Sequence, residues 1–540
     1  MRVLIFHGYL LDGTGSNVYN ARLAEALVGL GHEVHLLSQE RHPQRLPFVD
    51  AVGDWDSGTL RVLPARTARS APGGAPPPAG GPVRCTVYRP NIGNLLPVYV
   101  ADRYEGIEAR TFAETSDEQI EAYLRANIAA VREVCGLADP QVALANHLVM
   151  GPVILARALA GAAVGVGGVP FAVKVHGSAL EYTVKPDPER FLGFAREGLA
   201  AASGVLVGSR HTAASLWQAL DDPELPGRTR LGPPGVDVAR FAPREPAAAA
   251  AGVRALAARV RASTAGGREG SSAFARDPRA GAAALAELDP ERDELVAFVG
   301  KLIVSKGVDL LIAAWPLVLE RTPRARLVVV GFGAYREGLE RLRAALVAGD
   351  LDAAMALAEA GRSLETQSLP AAPLRHLLAF LRSLEGQERE RYLGAARGLA
   401  ERVVLTGRLE HDELAELLPA CEALVVPSTF PEAFGMVAAE AAACGALPIS
   451  AAHSGLAEVS EALARAVPEA VAELLSFRVD DGAVRALADR VSSWLAADPA
   501  LRSRAREGLV ATVRERWSWD SVAEGVIAAA QGRLEGLDSP

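Results

Sequence analysis

The sequence predicts an α/β protein with two parallel-sheet domains, and three observations predict it. Short β-branched runs alternate with amphipathic Ala/Leu-rich stretches as far as Val207, and the same alternation restarts at Glu294. The chain has 540 residues, half of them hydrophobic and 22% charged. At about 100–200 residues per domain that is two to four domains, and the composition is too apolar for a disordered chain.

In order, Arg2–His7 reads as the first strand, being too short an apolar run for a signal peptide. A helix over Asn17–Gly31 follows, with Leu23, Leu27 and Leu30 at helical spacing and Gly31 as its stop. Strand Glu33–Leu37 then completes a βαβ unit. Strands at Val142–His147, Phe171–Val175 and Gly204–Val207 continue a first domain assigned to 1–244. The long Ser38–Arg132 region of that domain contains a low-complexity loop, Ser70–Gly81. Residues 245–293 are alanine-rich and then Gly/Ser-rich around Gly266 and Gly270, and read as a linker or insertion, poorly ordered at its centre. Strands at Leu295–Val299, Arg326–Val330, Arg402–Thr406, Ala423–Val426 and Ala446–Ile449 define a second domain, 294–515. Its stretch from about 342 to 401 exceeds what a crossover needs and reads as a helical insertion. A terminal helix is expected in 516–540.

With 56 Lys+Arg against 65 Asp+Glu the net charge is −9, which argues against a duplex nucleic-acid partner. Only four of those basic residues are lysine, and they fall in two close pairs, Lys174 with Lys185 and Lys301 with Lys306. Four cysteines, Cys85, Cys135, Cys421 and Cys444, show no C-x-x-C spacing, so neither a zinc site nor a disulfide framework is indicated and a reducing cytoplasm fits best. Even the apolar run from Gly151 is broken by Arg157, short of a membrane span. Contact with a membrane surface stays open.

Four segments carry candidate chemistry. The turn from Gly8 through Gly13, Gly15 and Ser16 leads from a strand into a helix, where glycines and free N–H groups suit a phosphate. The dinucleotide fingerprint fails at Val18. Lys301 ends a strand and Lys306 returns close to it, two point charges suited to a diphosphate, against the ordinary reading of two solvated lysines. From Pro427 to Gly445 a strand, a proline-containing loop and a small-residue helix place Glu432 near the helix start and Glu440 about two turns on. That separation suits two hydroxyl contacts rather than a shared proton; the plain alternative is two helix carboxylates. His176 ends a strand before Gly177, and suits proton handling only in company with the other motifs; His147 is weaker still.

Taken in series, these segments resemble the retaining glycosyltransferases of the GT-B fold, the family 4 group (glycosyl transferases group 1). The match adds Gly204-Val-Leu-Val-Gly-Ser209, Pro234-Gly-Val-Asp237, Lys306-Gly-Val-Asp309, Leu327-Val-Val-Val-Gly331 and Gly407-Arg408-Leu409 to the motifs above, and spans most of the chain. The resemblance implies an α/β chain of two Rossmann-like domains facing across a cleft, with the helical and low-complexity insertions as departures. It also implies sugar transfer from a nucleotide diphosphate sugar to an acceptor, whether glycan, lipid or small molecule, with no metal or other cofactor. Lys301 and Lys306 would neutralise the departing diphosphate, and Glu432 would bind sugar hydroxyls. The amides of Phe434, Gly435, Met436 and Val437 would lie beside sugar and phosphates. Glu440 would hold the ribose. Arg408 and Leu409 would complete the donor site, while Gly13, Gly15 and Ser16 would approach from the first domain and His176 would sit near the donor sugar. On this reading Lys174 and Lys185 bracket His176-Gly177 and face the same cleft, with a solvated Lys185 the safer view, and the terminal helix returns to the first domain. A nucleotide-sugar epimerase and a non-catalytic nucleotide-sugar binder are the competing readings.

Overall fold

The structure is a computed structural model, and it describes residues 1–11, 15–65, 83–99, 107–160, 168–262, 277–365 and 372–540. The Ser70–Gly81 loop, the glycine-rich centre of 245–293 and Gly13 lie outside the described residues. The chain divides into two compact units, Met1–Gly235 with Trp519–Pro540, and Val236–Ser518.

The first unit is built on β1 (Arg2–Phe6), β2 (Glu33–Leu37), β3 (Ala51–Asp56), β4 (Thr59–Pro64), β5 (Cys85–Arg89), β6 (Leu95–Val98), β7 (Glu108–Thr111), β8 (Val142–Asn146), β9 (Phe171–Val175), β10 (Gly204–Val207) and β11 (Thr229–Leu231). Nine of these form one sheet in the order β11-β10-β9-β8-β1-β2-β5-β3-β4, parallel except for the β3–β4 hairpin. β6 and β7 pair separately. Alternate residues of β1, Leu4 and Phe6 against Val3 and Ile5, enter two different apolar layers. One layer includes the helices Asp117–Ala138, Gly151–Leu159 and Pro188–Ala200; the other includes Gly15–Gly29 and the terminal helix Trp519–Ala530. A sheet covered on both faces is why its central strands read as unbroken apolar runs.

The second unit carries β12 (Glu294–Val299), β13 (Ala325–Val330), β14 (Val403–Gly407), β15 (Cys421–Val426), β16 (Leu447–Ala451) and β17 (Ser476–Phe477). They form one all-parallel sheet in the order β14-β13-β12-β15-β16-β17, the doubly wound Rossmann order. Residues 245–293 contribute two helices, Pro246–Ala262 and Pro278–Ala286, whose Val253, Leu256, Val260 and Leu285 are buried in this unit's core. Between β13 and β14 lie the helices Arg336–Ala348, Leu351–Ala360, Arg375–Arg382 and Gly386–Ala396. Leu377, Leu381 and Tyr392 tie them into the same core, and Tyr392 donates to the Ala313 carbonyl at 2.9 Å.

Candidate functional site

In the second unit the strand order reverses between β12 and β15, so the loops that leave their carboxyl ends diverge and open a crevice at that point. The loop after β12 carries Lys301 and Lys306; the loop after β15 carries Glu432. Thr429 N–H donates to the Ser305 carbonyl at 2.8 Å, joining the two loops. Gly307 sits at φ 65°, and a Cβ there would lie 2.1 Å from the Pro427 carbonyl oxygen, so only glycine lets the loops approach this closely. Lys306 Nζ pairs with Glu432 Oε1, which also accepts from Ser428 Oγ at 2.6 Å. Both side chains of the pair are about one-quarter exposed. A pair of that exposure contributes only about 0.2–1 kcal/mol, so an incoming phosphate and hydroxyl can replace its two halves. Lys301 is exposed at the end of the same strand.

The turn after β16 fixes the Glu432 loop. Glu432 N–H donates to Ser454 Oγ at 2.9 Å, Gly455 N–H donates to the Glu432 carbonyl at 2.9 Å, and His453 Nε2 donates to the Ser428 carbonyl at 2.8 Å. Beyond Glu432, Phe434 is buried and meets Trp517 edge-on at 5.4 Å. Gly435 caps the helix Met436–Ala443, whose first amides, at Met436 and Val437, have no intrahelical acceptor. The alanines of that helix are buried, which lets it pack close to the sheet. Glu440 is buried with them at 3% exposure, and its Oε1 accepts from His411 Nε2 at 2.7 Å. The His411 ring lies 4.7 Å from that of Phe241, and its buried Nδ1 has no hydrogen-bond partner among the described residues. Leu409 is buried, while the Arg408 guanidinium lies 5.8 Å from the Phe332 ring centre and pairs with Glu410.

In the first unit the order reverses between β1 and β8, and a buried polar chain lies at those strand ends. His7 Nε2 lies 3.0 Å from both Asn17 Oδ1 and the Leu10 carbonyl, so it carries the proton; His7 Nδ1 accepts from Asn20 Nδ2 at 3.1 Å. Asn20 and Asn146 exchange amide hydrogen bonds of 2.7 and 3.1 Å, and Asn146 Oδ1 accepts from His176 Nε2 at 2.8 Å. His176 is thereby held as the Nε2–H tautomer, leaving Nδ1 as an acceptor. Burial, then the neighbouring His147, Lys174 and His7, holds its pKa well below the usual imidazole value. Gly15 is the first residue of its helix, with nothing among the described residues within 4 Å of where a Cβ would stand, and the Ser16 carbonyl accepts from Asn20 Nδ2 at 2.9 Å.

The lysine clustering resolves unevenly. Lys174 does not present its charge to an open ligand site. The pleat turns it to the face opposite Val173 and Val175, where it is 2% exposed, donates to the Gly232 carbonyl and lies 5.5 Å from the Tyr19 ring centre. Burial pushes its pKa down to about 7. Lys185 is a surface residue paired with Glu181 at 2.7 Å. The second pair, Lys301 and Lys306, alone stands at a strand-order reversal. Sequence reasoning passed over Asn20, Asn146, His411 and the His453–Ser454 clamp. The available signal was a polar residue at the end of an apolar strand, at its last position in Asn146 and just past it in His7.

The fold is that of the GT-B glycosyltransferases. Over 99% of both chains it is similar to sucrose-phosphate synthase from Thermosynechococcus elongatus, at a TM-score of 0.53 and 19% identity. It is also similar to Anabaena HepE in complex with UDP and glucose, at a TM-score of 0.52 and 15% identity over 99% of this chain and 100% of the other. The family model of the glycosyl transferases group 1 matches residues 286–350 and 383–508, all within the second unit. Among curated relatives, the D-inositol 3-phosphate glycosyltransferase of Segniliparus rotundus is 30% identical over 258 residues, 47% of this chain and 44% of that one. The chain spans 44% to 60% of the length of the first curated relatives it matches. No helix among the described residues is long and apolar enough to cross a membrane.

Proposed function

We propose that this protein is a retaining glycosyltransferase of family 4 that moves a sugar from a nucleotide diphosphate sugar to an acceptor, using its own cations rather than a metal for the leaving group. The observation that carries the reading is the Lys306–Glu432 pair at the reversal point of the second sheet, beside a helix N-terminus. Glycosyl transfer needs charge stabilisation on the departing diphosphate and hydroxyl contacts that hold the sugar, and these are the two halves of that pair. On binding, Lys306 passes from Glu432 to phosphate oxygen, with Lys301 at the loop edge and the Met436 and Val437 amides adding positive potential. Glu432, released, accepts from sugar hydroxyls. Glu440, held by His411, accepts from the ribose, and Arg408 and Leu409 flank the base.

The bond from the anomeric carbon to the phosphate oxygen breaks, and a bond to the acceptor oxygen forms on the same face. The acceptor proton goes to the departing phosphate oxygen, so configuration is kept. Ser428 stays hydrogen-bonded to Glu432 Oε1 after Lys306 leaves, and the same carboxylate is engaged by sugar hydroxyls, which supports this route over its attack on the anomeric carbon. His176 offers Nδ1 to a sugar hydroxyl. The four buried free thiols support a reducing, cytoplasmic setting.

The test is a thermal-shift screen of nucleotide sugars, beginning with UDP-sugars because HepE is seen with UDP and glucose. Transfer to D-inositol 3-phosphate, the substrate in the curated relatives' name, is assayed next. A product with the donor's anomeric configuration by NMR supports the reading. An inverted product contradicts retention, and an epimerised free donor contradicts transfer.

A further inference from the structure

The loop that carries both site lysines is held by hydrogen bonds from its neighbours in the sheet. Gly300 N–H donates to the Val330 carbonyl at 3.0 Å and Leu302 N–H to the Phe332 carbonyl at 2.7 Å. The Leu302 carbonyl accepts from Tyr335 N–H at 3.0 Å, and the Ser305 carbonyl accepts from Thr429. One further tether comes from elsewhere. Val304 N–H, midway between Lys301 and Lys306, donates to the Glu365 carboxylate at 2.5 Å. Glu365 follows the short 3-10 turn Arg362–Leu364, inside the stretch between residues 350 and 383 that the family model does not match. This turn is itself pinned, since Gly361 N–H donates to the Leu357 carbonyl and Arg362 N–H to the Ala372 carbonyl, at 3.0 and 3.1 Å.

Glu365 spends a carboxylate oxygen on a backbone amide of the loop that carries both lysines. Val304 opens the turn Val304–Lys306, so fixing its amide fixes where Lys306 starts. Charge-assisted bonds of this kind are among the strongest available to a loop.

We infer that Glu365 is a positioning residue supplied by this insertion: it holds Val304 so that Lys306 stays aimed at the anion site. This rests on the Lys306 role proposed above. The insertion thereby takes part in preorganising the leaving-group charges and is not merely added helix.

The variants are Glu365→Ala, which removes the acceptor, and Glu365→Gln, which keeps a carbonyl acceptor and removes the charge. Three readouts apply to the full chain: Val304 amide exchange, affinity for inorganic pyrophosphate by calorimetry, and turnover of a nucleotide sugar. Glu365→Ala should speed Val304 exchange, and weaken pyrophosphate and lower kcat by about 10-fold each with donor KM little changed. Glu365→Gln should restore all three, with pyrophosphate bound as tightly as in the wild type or more so, because a like charge is gone. Unchanged Val304 exchange in Glu365→Ala overturns the inference. So does faster exchange with unchanged pyrophosphate affinity and kcat, the outcome of a purely structural clip. A wild type that binds pyrophosphate but turns over no nucleotide sugar refutes the glycosyltransferase reading instead, and a loss in Glu365→Ala rescued by Glu365→Gln then still supports the tether.

Discussion

Acid should loosen the first unit through histidines buried in its polar chain. His7 and His147 are 1% and 2% exposed. Burial pushes His7 down to about 4, although its hydrogen bonds to Asn17 and Leu10 work the other way. Burial and the adjacent His7 hold His147 well below the usual value, and neither His147 ring nitrogen has a hydrogen-bond partner among the described residues. An unfolded imidazole titrates near 6.5, so below that pH the unfolded chain binds protons that the native cluster refuses. Stability contributed by the neutral rings is therefore present above about pH 6.5 and is lost as pH falls below it. From pH 7 to pH 5 the loss is about 2 kcal/mol for His7, at about 1.4 kcal/mol per pH unit, and His147 adds to it in the same direction. His176 acts in the same direction but is partly exposed. The assay is native-state hydrogen exchange on peptides covering β1 and β8, corrected for intrinsic rates, in the wild type and in His147→Asn. Asparagine tolerates the φ of 69° at this position and does not titrate. The lost ring lowers the baseline, so the readout is the slope: more than about 2 kcal/mol between pH 7 and 5 in the wild type and a shallower slope in the variant. A wild-type change under about 1 kcal/mol, or an unchanged slope in the variant, would refute the reasoning.

Three further outcomes are expected. Gly307→Ala should destabilise the second unit by more than about 1 kcal/mol and lower turnover, because its φ is positive and the Pro427 carbonyl occupies the Cβ position; thermal unfolding and a turnover assay check it. His411→Ala leaves the buried Glu440 carboxylate without its donor. Donor KM should rise by about 10-fold or more while kcat changes less, as steady-state kinetics across donor concentrations will show. Lys185→Met should shift the unfolding free energy by no more than about 0.5 kcal/mol and leave turnover unchanged, since its partner Glu181 is an exposed i,i+4 contact.

Except for β5, β11 and β17, which were not read from the sequence, the strands of both sheets were legible because each is buried on two faces and reads as an apolar run ended by a polar or glycine residue. β3 and β4 were not, although the Ser57-Gly58 turn between them, with both φ values positive, is a hairpin signal. Residues on β4 are mostly exposed, so no apolar run announced it. The second-unit site residues were legible by motif because local sequence builds each loop: glycine at 307 for close approach, alanines at 438–443 for a tight helix. Their supports were not, because Glu365 reaches Val304 across 61 residues and Ser454 reaches Glu432 across 22, distances that only the folded chain closes. Lys174 misled for the opposite reason. Rarity made it conspicuous, but strand alternation decides which face receives it.

The account stands on Lys306 and Glu432 acting together on a nucleotide diphosphate sugar. The most direct measurement is single-turnover transfer or hydrolysis of the best-binding nucleotide sugar by the wild type, Lys306→Ala and Glu432→Gln, each shown to be folded by its thermal transition. The account predicts that each substitution lowers the rate by about 100-fold or more, because each removes a group aimed at charge or hydroxyls in the transition state. Folded variants that both turn over the donor at the wild-type rate would contradict it.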